Sequence, residues 1–221
     1  MTATCVIASY RYGHLVSQAI ESVIGQTVPF DSIIVVDDGV GDCDVVLDKY
    51  LVDYSDTMAY IPRMSNLGTV ANFQDILMNN VFTDQVMFLG ADNWLRPDTL
   101  EKCREHRADI ISYDIALVGT MREQFRRKVG AWPTVDGYPM WRFAPGNIEQ
   151  ANYIHGSSLY NVDLAKKVGG YRASGGHNSE EDWMLWRAML AAGAKHVHVP
   201  EPMLYYRRHK HNFIQPRGSK S

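Results

Sequence analysis

Short runs of consecutive apolar residues alternate with segments of helical periodicity through the first hundred residues. The apolar runs are rich in β-branched residues, which is typical of buried strands. They lie at residues 4–9, 32–36, 58–61 and 85–89. Between them, apolar residues recur every three or four positions, and this spacing predicts helices over 15–24, 44–54, 70–78 and 98–106. Strands that alternate with helices favour a mostly parallel sheet with helices on both faces.

The alternation stops after a further strand at 109–113. Residues 119–147 are rich in glycine, proline, aromatic residues and arginine and have no sustained period, so we predict an irregular insertion on one side of the sheet. Regular patterns then return, and they predict a strand near 157–160, helices at 162–168 and 180–192, and a last strand at 195–199. We therefore predict one α/β domain over residues 1–212, followed by a flexible tail over 213–221.

Composition narrows the class of protein. The 221 residues are 46% hydrophobic and 21% charged, which is typical of globular chains and excludes disordered, collagen-like and coiled-coil proteins. With 22 basic and 25 acidic residues the net charge is −3, so the chain has no overall basic field for nucleic acid or membranes. Three widely spaced cysteines form no disulfide or zinc pattern and favour a reducing compartment.

Targeting signals and membrane spans are not expected. The first residues have the pattern of a strand rather than of a signal peptide, and no stretch approaches the ~18 consecutive apolar residues of a membrane span. We predict a cytoplasmic protein that meets any membrane-bound substrate at the membrane surface, without stable insertion. The sequence carries no signal for an oligomeric state.

Acidic residues follow two of the predicted strands. Asp37 and Asp38 close the second strand, and Asp92 lies just after the fourth. Carboxyl ends of parallel strands open onto one edge of a sheet, where carboxylates can coordinate a divalent cation or accept hydrogen bonds from a base or ribose. The alternative is that each group only forms a turn. Two such groups at one edge favour a functional site.

Two further clusters have both a functional and a structural interpretation. Glu181 and Asp182 begin a helix, where a carboxylate can act as a general base or simply stabilise the helix start. Arg207, Arg208 and His209 lie in a basic run that can hold an anionic leaving group or can be a solvated stretch of charge. His196 and His198 alternate on a strand and are expected to share one face, as a surface pair rather than a metal site.

Eight segments, in this order, resemble family 2 glycosyltransferases of the GT-A fold. They are VIASYR at 6–11, AIESVIGQT at 19–27, IIVVDDG at 33–39, NLG at 66–68, FLGADN at 88–93, GGY at 169–171, ED at 181–182 and YRRH at 206–209. The resemblance spans essentially the whole chain. It implies inverting transfer of a sugar from a nucleoside diphosphate sugar, foremost a UDP-sugar, to an acceptor hydroxyl.

The resemblance also implies a role for each matched residue. Residues 1–115 would form the half that binds the nucleotide sugar, and 116–212 the acceptor and catalytic half. The implied nucleotide-binding residues are Ala8, Tyr10, Asp38, Asn66 and Asp92. Asp92 and His209 would hold Mn²⁺ or Mg²⁺, Arg207, Arg208 and His209 would contact the diphosphate, and Asp182, with Glu181, would deprotonate the acceptor.

The acceptor side is suggested by aromatic residues among arginines. Trp132, Trp141 and Trp183 are the predicted contacts, because aromatic faces stack on sugar rings and arginines bind phosphate. A glycan, a phosphate-linked lipid or another anionic acceptor is favoured over a nucleic acid. The alternative is that the aromatic residues of 119–147 fill a small core beneath the insertion.

One departure from the family pattern keeps other functions open. Gly90 stands where the metal-binding DxD motif usually begins, and Asn93 where an acid often follows, so Asp92 is the single carboxylate. Metal binding would then depend on His209 and the diphosphate, or the metal would be dispensable. A sugar-nucleotide-binding module without activity is one alternative function. A nucleotidyltransferase is another, although the sequence has no glycine-rich triphosphate loop near its N-terminus.

Overall fold

A computed structural model gives the structure of the chain and describes residues 1–120, 134–143, 145–173 and 181–209. The described strands are β1 Ala3–Ser9, β2 Ser32–Asp37, β3 Met58–Pro62, β4 Gln85–Gly90, β5 Trp94–Leu95, β6 Ile110–Val118, β7 Thr134–Val135, β8 Tyr138–Trp141, β9 Leu159–Asn161 and β10 His196–Arg207. The described helices are α1 Gly13–Ile24, α2 Asp44–Asp53, α3 Thr69–Asn79, α4 Thr99–Arg104, α5 Val162–Lys167 and α6 Glu181–Ala191.

A mixed, mostly parallel sheet forms the centre of the domain, with strand order β3-β2-β1-β4-β9-β6-β10-β5. β1 pairs in parallel with β2 and β4, and Ile7 lies beside Val35 on one strand and Leu89 on the other. β6 pairs in parallel with β10, while the short β9 runs antiparallel between β4 and β6. The predicted architecture is confirmed.

Side chains of the central strands alternate between two apolar cores, one on each face of the sheet. Ala3, Cys5 and Ile7 of β1 pack with α1, α2 and α4, whereas Val6 of the same strand packs with α3, α5 and α6. Strands covered by helices on both faces are apolar at nearly every position, which explains the continuous apolar runs in the sequence.

The second half differs from the sequence prediction in the length of its strands. β10 extends to Arg207 instead of ending at Val199, and its register against β6 shifts between Val199 and Leu204. Pro200 and Pro202 cannot donate backbone hydrogen bonds, so the shift accommodates them within the strand. The start of the predicted basic run is thus strand, and Arg208 after it is 4% exposed.

The region predicted as an irregular insertion contains a hairpin. β7 and β8 pair through a turn at Asp136 and Gly137, both with positive φ, which is the geometry of a type I′ turn. Residues 121–133 and 144 of this region, and the predicted tail at 213–221, lie outside the described residues. Within the described ranges, no helix has the length and apolar character needed to cross a bilayer.

Candidate functional site

A cavity of about 810 Å³ opens at the carboxyl ends of β1, β2 and β4. This volume is in the range of small-molecule sites in proteins, about 300–1,000 Å³. Its lining brings together five of the predicted site residues, namely Ala8, Tyr10, Asp38, Asn66 and His209. Ligands of open α/β sheets bind at this edge, as the strand-end carboxylates predicted.

Asp38 holds the loop that forms one wall of the cavity. Its carboxylate accepts hydrogen bonds from the backbone N–H groups of Leu67 at 2.9 Å and Gly68 at 3.0 Å. Gly39 follows with φ +84°, and a Cβ there would lie 2.3 Å from the backbone carbon of Ser65. Only glycine allows the two loops to approach this closely. Asp38 therefore orders the segment that carries Asn66.

Asp37, by contrast, mainly builds its own turn. Its carboxylate accepts from the backbone of Val40 at 2.8 Å and of Cys43 at 3.3 Å. Donor atoms of Asp37, Asp42 and Cys43 lie within 4.8 Å of one another and could in principle hold a metal ion. However, Asp42 accepts from the backbone N–H of Gly13 at 3.0 Å, and burial raises the pKa of the Cys43 thiol to about 12. Mn²⁺ and Mg²⁺ prefer oxygen ligands, so this group suits them poorly.

Asp92 and His209 form the pair that best fits a divalent cation. Asp92 is 8% exposed, and its Oδ2 lies 3.3 Å from Nε2 of His209. Burial raises the pKa of Asp92, and the neighbouring His209 opposes that rise. The His209 ring packs edge-on against Tyr12 with 5.5 Å between ring centroids. A carboxylate oxygen beside an imidazole nitrogen is a suitable donor set for Mn²⁺, and a buried carboxylate gains from a nearby cation.

Arg207 and Arg208 are positioned differently from His209, and neither lies among the residues that line the cavity. The Arg207 guanidinium donates from Nε to the carbonyl of Asp92 at 2.9 Å and lies 4.9 Å from the ring centroid of Trp94. The Arg208 backbone donates to the carbonyl of Val118 at 2.8 Å, and its side chain contacts the Tyr206 ring. Both arginines thus support the turn and strand that carry Asp92 and His209.

The predicted base lies in the first turn of α6. Oδ1 of Asp182 accepts from the backbone N–H of Trp183 at 2.7 Å. Its other oxygen packs against Gly156, where a Cβ would be 3.3 Å away. Burial raises the pKa of Tyr206, and the charges of Asp92 and Asp182 raise it further. Tyr206 is therefore within electrostatic range of Asp92, the predicted metal ligand, and of Asp182, the predicted base.

Glu181, next to the predicted base, has a pKa that is shifted toward neutral pH. Burial, followed by the charge of Asp182, raises the pKa of Glu181 to about 7. Its Oε2 is buried and has no hydrogen-bond partner among the described residues. A proton-carrying group with such a pKa suits acid–base chemistry near neutrality.

The raised pKa of Glu181 predicts a specific pH dependence of stability. The unfolded chain releases this proton near pH 4.5 and the folded chain near pH 7, so the free energy of unfolding falls as pH rises across that window. At about 1.4 kcal/mol per pKa unit, the loss is at most about 3.5 kcal/mol. Glu181→Gln is expected to flatten this slope in urea denaturation between pH 4.5 and 8. If Glu181→Gln shows the wild-type dependence of unfolding free energy on pH, the raised pKa of Glu181 is contradicted.

The predicted acceptor tryptophans are engaged in packing where the structure describes them. Trp183 donates from its ring N–H to the carbonyl of Ile148 at 2.6 Å, and Arg187 lies 6.0 Å from its ring centroid. Trp141 of β8 stacks on Phe143 with ring centroids 4.9 Å apart and packs against the core. Trp132 lies outside the described residues.

Three polar residues that line the cavity were not assigned from the sequence. They are Arg11, Tyr12 and His14, and their place in the first loop after β1 is the feature that could have indicated them.

His196 and His198 share one face, as predicted, but the prediction of a surface pair is wrong. Both are half-buried and contact Oγ of Ser112, at 2.8 and 3.0 Å. His198 also contacts Asp114 at 3.0 Å, so the histidines belong to an internal network.

A comparison with protein-family models decides the family. Residues 4–169 match the model described as "Glycosyl transferase family 2", which covers most of the chain. The chain belongs to glycosyl transferase family 2. Membership confirms the family that the sequence motifs implied. No curated protein sequence is significantly similar to this chain.

Solved structures share the fold of this glycosyltransferase. Residues 1–349 of S. aureus TarS, in complex with UDP-GlcNAc, align over 96% of this chain and 60% of that one, with a TM-score of 0.72 and 14% identity. The mannosyltransferase PcManGT from Pyrobaculum calidifontis, in complex with GDP-Man and Mn²⁺, aligns over 96% and 58%, with a TM-score of 0.67 and 14% identity. These likenesses confirm the GT-A fold, and the chain spans about 60% of the length of either structure.

Proposed function

We propose that this glycosyltransferase moves a sugar from a nucleoside diphosphate sugar, foremost a UDP-sugar, to an acceptor hydroxyl with inversion at the anomeric carbon. The observation that carries the proposal is the cavity at the strand ends, which joins the Asp38-held loop to His209, beside Asp92. TarS and PcManGT, which share the fold, were solved with UDP-GlcNAc and with GDP-Man and Mn²⁺.

The donor is proposed to bind along the cavity wall. Tyr10, which is 41% exposed, offers its ring to the nucleotide base, with Ala8 and Asn66 alongside. Each oxygen of Asp38 accepts one backbone hydrogen bond and keeps a lone pair for a base N–H. Arg11 adds a cationic group at the same wall and His14 an imidazole that can donate a hydrogen bond, and a diphosphate needs such groups.

The diphosphate is proposed to lie beside Asp92 and His209. Asp92 and His209 would hold Mn²⁺ or Mg²⁺, which when bound neutralises charge on the leaving diphosphate. His209 can also donate a hydrogen bond to phosphate, while Arg207 and Arg208 add positive charge from behind the Asp92 turn. The carboxylate and imidazole therefore serve the leaving group, and the arginines support them.

The acceptor is proposed to approach from the side of α6. Its hydroxyl oxygen attacks the anomeric carbon, the bond from that carbon to the diphosphate oxygen breaks, and the hydroxyl proton passes to Asp182. Glu181, the residue before Asp182, is a second carboxyl group that can bind a proton. Trp183, Trp141 and Trp132 are the proposed sugar contacts, and an acceptor with phosphate or carboxylate groups, such as a glycan or a phosphate-linked lipid, is preferred to a nucleic acid.

The same proposal includes a division of the domain into two halves and a location in the cell. Residues 1–115 form the donor half and 116–212 the acceptor half of one domain, with 213–221 as a tail. Three buried cysteines, all unpaired among the described residues, fit a reducing compartment, so we place the enzyme in the cytoplasm.

Ligand-dependent melting, followed by a turnover assay, tests the function. UDP or a UDP-sugar with Mn²⁺ is expected to raise the melting temperature, because a ligand at 100 times its Kd adds about 2.7 kcal/mol of stability. The UDP-sugar should then release UDP. Saturable binding without release would instead favour the inactive binding module. Release of pyrophosphate from a nucleoside triphosphate and a sugar phosphate would favour a nucleotidyltransferase.

A further inference from the structure

Gly90 stands where the DxD motif usually begins, and a side chain at this position would meet the side chains of Asp92 and Asn93 in the turn after β4. The backbone N–H of Asn93 donates to the carbonyl of Gly90 at 2.9 Å and closes the turn. A Cβ on Gly90 would lie 2.9 Å from Oδ1 of Asp92 and 2.9 Å from Nδ2 of Asn93, closer than real Cβ atoms come to their neighbours. The carboxylate of Asp92 and the amide of Asn93 therefore occupy the space that a side chain at position 90 would need.

Asn93 connects this turn to the end of β10. It is 6% exposed, and its Oδ1 accepts the backbone N–H of Arg207 at 2.9 Å. The Arg207 side chain returns to the same turn through the carbonyl of Asp92, at 2.9 Å. Arg207 ends β10 and precedes His209 by two residues, so these two bonds set where His209 leaves the sheet. His209 reaches Asp92 at 3.3 Å.

The amide is also the better chemical choice at position 93. A carboxylate there could accept the same N–H, but it would add a second negative charge beside the buried carboxylate of Asp92. Like charges at close range destabilise each other strongly in a buried environment. Asparagine supplies the acceptor oxygen without that charge.

We propose that Asn93 is a positioning residue that, in the space left by Gly90, holds His209 against Asp92. The donor site is thereby built from one carboxylate, one imidazole and a supporting amide, in place of the several acids of the DxD motif. The inference rests on the proposed function, because it concerns how the pair that faces the donor diphosphate is held.

Two substitutions disturb the arrangement in different ways. Gly90→Ala introduces a methyl group that must displace the Asp92 carboxylate and the Asn93 amide, both ends of side chains. Asn93→Ala removes the acceptor for the Arg207 backbone. Gly146→Ala is the matched control, because a Cβ there meets only a ring carbon of Tyr153, at 3.9 Å.

UDP affinity is measured by calorimetry with and without Mn²⁺, together with the melting temperature of each ligand-free variant. Gly90→Ala and Asn93→Ala are expected to lower the Mn²⁺-dependent part of UDP affinity by about tenfold or more, as for other residues that orient metal ligands. Gly146→Ala should match wild type. Gly90→Ala should melt near wild type, because only two side-chain ends move.

The outcomes separate this inference from the proposed function. If wild type binds UDP with Mn²⁺ and both Gly90→Ala and Asn93→Ala bind it equally well, the positioning role is overturned and the function stands. If wild type binds neither UDP nor Mn²⁺, the function is overturned together with the inference. If Asn93→Ala fails to fold, the comparison of Gly90→Ala with Gly146→Ala decides, and equal affinities would overturn the inference.

Discussion

Asp182→Asn is expected to lower turnover by about 10²–10⁴-fold while leaving donor affinity nearly unchanged, because removing a general base has an effect of this size. Asparagine has the size of aspartate but cannot take the acceptor proton at neutral pH. Its side-chain oxygen can still accept the backbone N–H of Trp183, which Asp182 accepts at 2.7 Å. Asparagine also supports a helix start about as well as aspartate. The fold should therefore survive the change.

UDP release from a UDP-sugar gives the turnover of wild type and variant, and calorimetry gives the affinity for UDP. Asp163→Asn is a matched control, because Asp163 lies in the first turn of α5, where Asn161 accepts the backbone N–H of Leu164 at 2.8 Å. Asp163→Asn should keep full turnover. Turnover of Asp182→Asn near that of wild type would show that Asp182 only stabilises the start of α6.

The first four strands could be predicted to within about one residue at either end. β1 was predicted at 4–9 and runs over Ala3–Ser9, and β4 was predicted at 85–89 and runs over Gln85–Gly90. β1, β2 and β4 are covered by helices on both faces, so burial selects an apolar side chain at almost every position. Local sequence and tertiary burial favour the same structure in these strands, so the pattern of apolar residues is sufficient to predict them.

The long last strand could not be predicted in the same way. Pro200 and Pro202 argue against a strand, because proline lacks the N–H of the ladder. Pairing with β6 overrides that local preference, through register shifts that absorb both prolines. The position of Arg207 in a strand, and the burial of Arg208, follow from this pairing and not from their own neighbourhood in the sequence.

The site was predictable in its location but not in its internal contacts. Parallel topology alone brings the ends of β2 and β4 to one edge, so Asp38 and Asp92 could be placed there. Pairing of Asp92 with His209, 117 positions away in the chain, came only from the family resemblance. The hydrogen bonds that Asp38 accepts from the backbone depend on the path of the loop at 66–68. Secondary-structure propensities do not determine that path.

Asp92→Ala is expected to lower turnover by about 10²–10³-fold, because stabilising charge on a leaving group is worth several kcal/mol and about 1.4 kcal/mol is a factor of ten in rate. The alanine also removes the carboxylate that His209 contacts at 3.3 Å. UDP affinity in Mn²⁺ should fall toward its metal-free value, and the stimulation by Mn²⁺ should disappear. UDP release and calorimetry across a Mn²⁺ titration measure both effects.

Asp75→Ala provides the control for this loss of a carboxylate. Asp75 pairs with Arg63 at a partly exposed position of α3, away from the lining of the cavity, and such pairs contribute about 0–1 kcal/mol. The Asp75→Ala variant should show the same dependence of UDP affinity and turnover on Mn²⁺ as wild type. Wild-type turnover that persists in excess EDTA would contradict a metal role for Asp92. The cationic groups at the cavity would then carry the leaving-group charge, and His209→Ala would become more damaging than Asp92→Ala.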